Sequence, residues 1–319
     1  MENILFKNPE VRMLANAIFG NVLFSTSFGD GKTNNSSNEK SSYNDEIDQN
    51  LSPIFHLDDY YKNWLFTLDD NPKPLIEWVG DEKQKLGIYH EKLWQFFLKN
   101  NGKTELISHN LKVKGTHNDI GEFDIIYSDN SKKLFHLEIA NKYYLCINED
   151  SKSLSNWVGP NKIDSLEKKI NHTLNKQIKL SDTIFGEKEI ECVIRKKNKI
   201  SLIDQPVVKQ IQIGGRLFYP NSSKKSKHRT PNLINSNLNK GSWLTLSEWE
   251  IKNNQLDIAY IILNKPFWLD YVFHEKDFSS GKKKLIKLSN DQPKMIFFKS
   301  NDDQKGSYAF IVPDKWLST

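Results

Sequence analysis

Two apolar runs, GEFDIIY at 121–127 and LFHLEIANKYYL at 134–145, stand on either side of the polar residues SDNSKK. Runs rich in Ile, Tyr and Phe with a short polar break between them read as an antiparallel β-hairpin. This pair constrains the fold most, because connection length sets hairpin register and a one-residue slip would turn every side chain to the other face. With the turn centred near Ser131, facing residues have numbers that sum to 262, so Asp124 is expected opposite Glu138. Opposed Cβ atoms on one face lie about 4.5–5.5 Å apart. Two carboxylates at that separation repel unless they share a proton or a cation.

Strand side chains alternate, so Glu122, Asp124, Glu138, Ala140 and Lys142 fall on one face, with His136, and Leu137, Ile139 and Tyr143 on the other. The second set is expected in the core and the first at the wet end of the hairpin. Carboxylates that could hold Mg²⁺, with a lysine near them, suit metal-dependent phosphodiester hydrolysis. Ordinary solvated ion pairs on an exposed strand are the competing explanation.

Along the chain, residues 9–24 read as a helix with Pro9 in its first turn and Val11, Leu14, Ile18 and Val22 on one face. Residues 25–50 are rich in Ser, Asn, Gly and Asp and read as a polar flexible insert. KLGIYHEKLWQFFLKNNG (85–102) carries Leu86, Tyr89, Leu93, Phe96 and Phe97 at helical spacing, with Gly102 as its stop and Glu91 beside the apolar face. A strand is expected around 107–113, then the hairpin. A helix with Ile163, Leu166, Ile170, Leu174 and Ile178 in register follows, and then a strand over 207–220. The expected organisation is an N-terminal helix (1–24), the insert (25–50), an α/β core (51–220) with a mixed central sheet flanked by helices, and a β-rich C-terminal extension with basic loops (221–319).

The composition suits a globular chain, at 37% hydrophobic and 12% aromatic over 319 residues. The two cysteines, Cys146 and Cys192, form neither a disulfide framework nor a zinc motif, so a reducing, cytoplasmic setting is expected. No stretch approaches the roughly 18 apolar residues of a membrane span, so no membrane partner is expected. The net charge of +5 is mild, but RKKNK (195–199), KKSKHR (224–229) and GKKKLIK (281–287) gather positive charge in the second half. Such runs suit a nucleic-acid backbone and also suit plain solvation. Trp243, Trp249, Phe267 and Trp268 could stack on bases, although core packing is the stronger expectation.

The order of a helix glutamate in LGIYHEKLW, then GEFD, then HLEIANK, then a helix with Gln177, resembles the PD-(D/E)XK, restriction-endonuclease-like nuclease superfamily. The chain is more closely similar to the bacterial family catalogued as domain of unknown function 1853. That likeness runs through PEVRMLA, LGIYHEKLW, GEFDII, HLEIANKYYL, WVGPNKIDSLEKK and GGRLFYP, from about Pro9 to Pro220. The superfamily resemblance implies a restriction-endonuclease-like core in which Asp124 and Glu138 hold Mg²⁺ or Mn²⁺. In it Lys142 would act on water and phosphate, Glu91 would add a carboxylate and Gln177 would support the site. It implies a nuclease or phosphodiesterase using metal-activated water on nucleic acid, with DNA expected. The pattern places its lysine two residues after the second acid, where this chain has Ala140, and Phe123 replaces the proline before the aspartate. A non-catalytic nucleic-acid-binding or scaffolding protein that keeps the fold is the alternative.

Overall fold

The computed structural model describes residues 6–28, 54–80, 85–148, 150–221, 230–231, 233–256, 258–270, 292–299 and 306–318. In chain order the elements are α1 (Pro9–Phe19), β1 (Val22–Phe28), α2 (Asp59–Asp70), α3 (Lys73–Val79), α4 (Leu86–Asn100), β2 (Thr104–Lys114), β3 (Asp119–Asp129) and β4 (Leu134–Cys146). They continue with β5 (Trp157–Val158), α5 (Leu166–His172), α6 (Ile184–Lys196), β6 (Val207–Pro220), β7 (Lys240–Thr245), α7 (Leu246–Leu256), β8 (Ala259–Ile262), β9 (Lys294–Lys299) and β10 (Ser307–Val312). This is the expected mixed α/β architecture, in which a mixed sheet is flanked by helices. The chain divides into one unit of residues 1–81, 87–141 and 170–214 and a second of 82–86, 142–169 and 215–319.

In the first unit β2, β3 and β4 form an antiparallel meander, and β1 pairs antiparallel with β6. α1 starts where the Asn8 side chain accepts from the Glu10 and Val11 N–H groups, with Pro9 in the first turn. It is shorter than expected: it ends at Phe19, and residues 22–28, assigned from sequence partly to the helix and partly to the insert, are strand β1. Gly20 marks the boundary, since a Cβ there would lie 2.3 Å from the Asn16 carbonyl oxygen. The rest of the insert, 29–50, lies outside the described residues.

α4 buries the anticipated Leu86, Tyr89, Leu93, Phe96 and Phe97, and Gly102 follows it with φ of +76°. Phe97 meets Phe19 and Tyr61 edge-on or tilted at 5.6 and 5.5 Å. A further cluster joins Ile107, Val113, Phe123 and Ile126 of the sheet to Ile190 and Ile194 of α6. α6 was not anticipated; Thr183 caps it through the Gly186 N–H.

The helix expected from Ile163 onward begins only at α5, and Ile163 is 79% exposed outside it. After His172 the chain makes a π-helical turn over Thr173–Gln177, closed by the Ile178 N–H on the Thr173 carbonyl at 3.0 Å. Apolar residues spaced by four satisfy either hydrogen-bond pattern, so their periodicity does not reveal a π-turn.

In the second unit β7 runs parallel to the end of β6 and to β10, while β10, β9 and β8 are successively antiparallel. α7 sets Trp249 among Leu244, Ile258, Tyr260, Ile296, Phe298 and Ile311. Trp243 and Trp249 are buried, so both are packing residues. No helix among the described residues is long and apolar enough to cross a membrane.

Candidate active site

The hairpin has the register expected of it: Ile125 faces Leu137, Ile126 faces His136, and Tyr127 faces Phe135. The next position in that register brings Asp124 to Glu138, and there side chains carry the pairing. The Ile139 N–H donates to Asp124 Oδ2 at 2.9 Å, and the Asp124 N–H approaches Glu138 Oε1 at 3.5 Å.

The face expected to be wet is buried at this point. Glu138 is 1% exposed and His136 is fully buried, because Ser181 and the π-turn cover them. A carboxylate so desolvated needs hydrogen-bond donors. His136 Nε2 lies 2.8 Å from Glu138 Oε1, and Gln177 Nε2 donates to Oε2 at 2.6 Å. Burial pushes the His136 pKa down to about 3, so the ring is neutral. A neutral imidazole that donates from Nε2 accepts at Nδ1, where Ser181 Oγ stands 3.1 Å away. Gln177 is oriented in the same manner. Its Oε1 accepts from Thr173 Oγ1 at 3.0 Å and lies 3.1 Å from His172 Nδ1, which turns its NH₂ toward Glu138.

Glu91 of α4 is close enough to Asp124 to be influenced by its charge. Asn110 Nδ2 donates to Glu91 Oε2 at 3.1 Å. Burial first, and then the charges of Asp124 and Glu122, raise the Glu91 pKa, against the lowering effect of the Asn110 bond. Asn110 sits between His109 and Leu111, which face Ile125 and Phe123, so it lies across β3 at Asp124. Its φ of +48° is a left-handed conformation that asparagine tolerates better than most residues. Asn110 and Ser181 are site residues that the sequence reading passed over. Asparagine, a poor strand former, inside the run ISHNLKV was the available signal for Asn110, and Ser181 carried none.

Asp124, Glu138 and Gln177 are therefore hydrogen-bonded neighbours, with Glu91 within electrostatic reach of Asp124. Lys142 pairs with Asp164: its Nζ lies 2.6 Å from Asp164 Oδ2, an oxygen that also accepts from Tyr144 at 3.2 Å. In the basic run 195–199, Arg195 pairs with Glu191 and Lys199 with Glu105. The runs at 224–229 and 281–287 lie outside the described residues.

Among the described residues no group of three or more His, Cys, Asp and Glu side chains is arranged to hold a metal ion. Mg²⁺ seldom uses such a cage; it is commonly bound by one or two carboxylates, with waters and substrate phosphates completing its shell.

A family model described as Domain of unknown function (DUF1853) matches residues 25–303. The chain belongs to the DUF1853 family. The match spans both units, and so takes in the acid cluster of this DUF1853 protein together with the Lys142–Asp164 pair. Among curated proteins and among solved structures nothing matches the chain.

Proposed function

We propose that this DUF1853 protein is a metal-dependent nuclease or phosphodiesterase acting on nucleic acid, with DNA as the expected substrate and a restriction-endonuclease-like core. The reading is supported by Glu138 taking contacts from the Asp124 N–H on the neighbouring strand and from Gln177, 39 residues away, with Glu91 within electrostatic reach of Asp124. Asp124 and Glu138 would hold Mg²⁺ or Mn²⁺, while His136 and Gln177 keep the Glu138 carboxylate in one orientation. A bound divalent ion would lower the pKa of a water molecule and offset charge on a phosphate. Glu91, whose proton affinity is raised, contributes a further carboxylate at the Asp124 side.

The alternative is a non-catalytic nucleic-acid-binding or scaffolding protein. It is favoured by Ala140 at the position where the superfamily pattern has lysine and by the Lys142–Asp164 ion pair. For Lys142 to serve a phosphate, its ammonium has to leave Asp164.

Purified protein incubated with single- and double-stranded DNA and RNA, in Mg²⁺ or Mn²⁺ and in chelator, separates the two. Metal-dependent cleavage lost in both Asp124→Ala and Glu138→Ala is expected. Cleavage that survives both substitutions overturns the site, and salt-sensitive binding without cleavage establishes the alternative.

A further inference from the structure

The second unit carries 24 Lys and Arg against 15 Asp and Glu, a net +9, whereas the first carries 21 against 25, a net −4. Within that basic unit one cation has an unusual setting. The Arg216 guanidinium lies over the Tyr308 ring, its Cζ 3.8 Å from the centroid. Among the described residues its one hydrogen bond is a long contact of 3.5 Å from Nη1 to the Lys240 carbonyl, and no carboxylate lies in ion-pair contact with it. A guanidinium has five N–H donors in a fixed fork, so most of this fork is unspent. Asp270 is near enough to act on it electrostatically but does not pair with it.

The backbone holds this cation in place. Gly215, just before it on β6, has φ of +133°, and a Cβ there would fall 1.7 Å from the Lys142 carbonyl oxygen. β7 separates Arg216 on β6 from Tyr308 on β10, and Gly241 of β7 has no side chain to fill the gap; a Cβ there would lie 2.5 Å from the Phe218 ring. Desolvation lowers the Arg216 pKa, and Tyr143 and Tyr308 lie close enough to influence it. A half-buried cation on an aromatic platform, with most of its fork open, suits a planar array of anionic oxygens.

We infer that Arg216 and Tyr308 form a subsite for a backbone phosphate of a nucleic acid. The subsite shares the nucleic-acid partner of the proposed function and is independent of cleavage. Basic groups tracking phosphates beside aromatic rings are how single strands are held without sequence preference, and the +9 charge of the unit supplies the long-range attraction.

Fluorescence anisotropy with a labelled single-stranded DNA, in chelator so that nothing is cut, tests this on the full chain. Arg216→Gln is expected to weaken binding about tenfold, whatever the DNA sequence, and to reduce the slope of log affinity against log salt by about one. Arg216→Lys, which keeps the charge and loses the fork, is expected to keep the slope and lose part of the affinity; if the glutamine variant does not fold, this variant decides. Wild-type affinity and slope in Arg216→Gln, with an unchanged circular-dichroism melt, overturn the subsite. Competition by poly-L-glutamate or inorganic phosphate as effective as that by DNA, at equal charge, overturns the nucleic-acid assignment. If the wild type binds no DNA, the subsite and the nucleic-acid partner fail together; if it binds in chelator but cuts nothing in Mg²⁺, cleavage alone fails.

Discussion

Gln177 donates to Glu138 across 39 residues of chain at 2.6 Å, joining a π-helical turn to the strand that carries the buried acid. Gln177→Ala leaves one oxygen of a desolvated carboxylate without that donor, a loss worth about 1–3 kcal/mol. Urea denaturation should show the midpoint falling with an unchanged slope. Glu138→Ala in the same chain should recover part of the loss, because the charge that needed the donor is gone. Strict additivity of the two substitutions would refute the coupling.

His90 on α4 is 2% exposed, and burial alone lowers its pKa to about 4. The unfolded chain takes up a proton on this ring below about pH 6.5, while the folded chain takes it up only below about pH 4. The ring therefore has no effect above pH 6.5 and removes stability as the pH falls from 6.5 toward 4, at about 1.4 kcal/mol per pH unit. Stability measured at pH 7 and pH 5 should fall less in His90→Leu than in the wild type, by about one proton's worth of slope. Equal slopes would place the acid sensitivity elsewhere.

What the sequence discloses follows from what each signal measures. Turn length and the period of two determine hairpin register, so the facing of Asp124 and Glu138 is legible from residues 121–145 alone. Burial of Glu138 is not, because the residues that cover it, Gln177 and Ser181, are some 40 positions away. α4 is legible from its five apolar positions, whereas α6 presents Ile190 and Ile194 among six charged residues, which obscure the stripe. β1 begins apolar and then runs through Ser-Thr-Ser to Phe28, and so resembles the polar segment that follows it.

Lys142 and Asp164 are each about one-third exposed on their side chains, at 36% and 34%. Such a pair contributes about 1 kcal/mol or less, so Asp164→Asn should hardly move the thermal midpoint. Ala140 is half-buried, and Ala140→Lys should fold. Under the nuclease reading Lys142→Ala abolishes cleavage, and adding Ala140→Lys returns at least part of it, since that position has the spacing of the superfamily pattern. Full activity in Lys142→Ala would remove this lysine from the mechanism.

Two glycines should respond in opposite directions to one added methyl group. Gly87, near the start of α4, has nothing within 4 Å of where a Cβ would stand. Gly87→Ala should therefore stabilise by about 0.5–1 kcal/mol, through better helix propensity and a less free unfolded chain. At Gly215 the same methyl meets the Lys142 carbonyl at 1.7 Å, in a backbone conformation with φ of +133°. Neither the strand nor the carbonyl can yield without breaking the local pairing. Gly215→Ala should destabilise by more than about 4 kcal/mol, read as loss of soluble protein or a collapsed urea midpoint. A Gly215→Ala variant with a wild-type midpoint would show that β6 does not approach the Lys142 backbone so closely. It would also remove the constraint that holds Arg216 beside Tyr308.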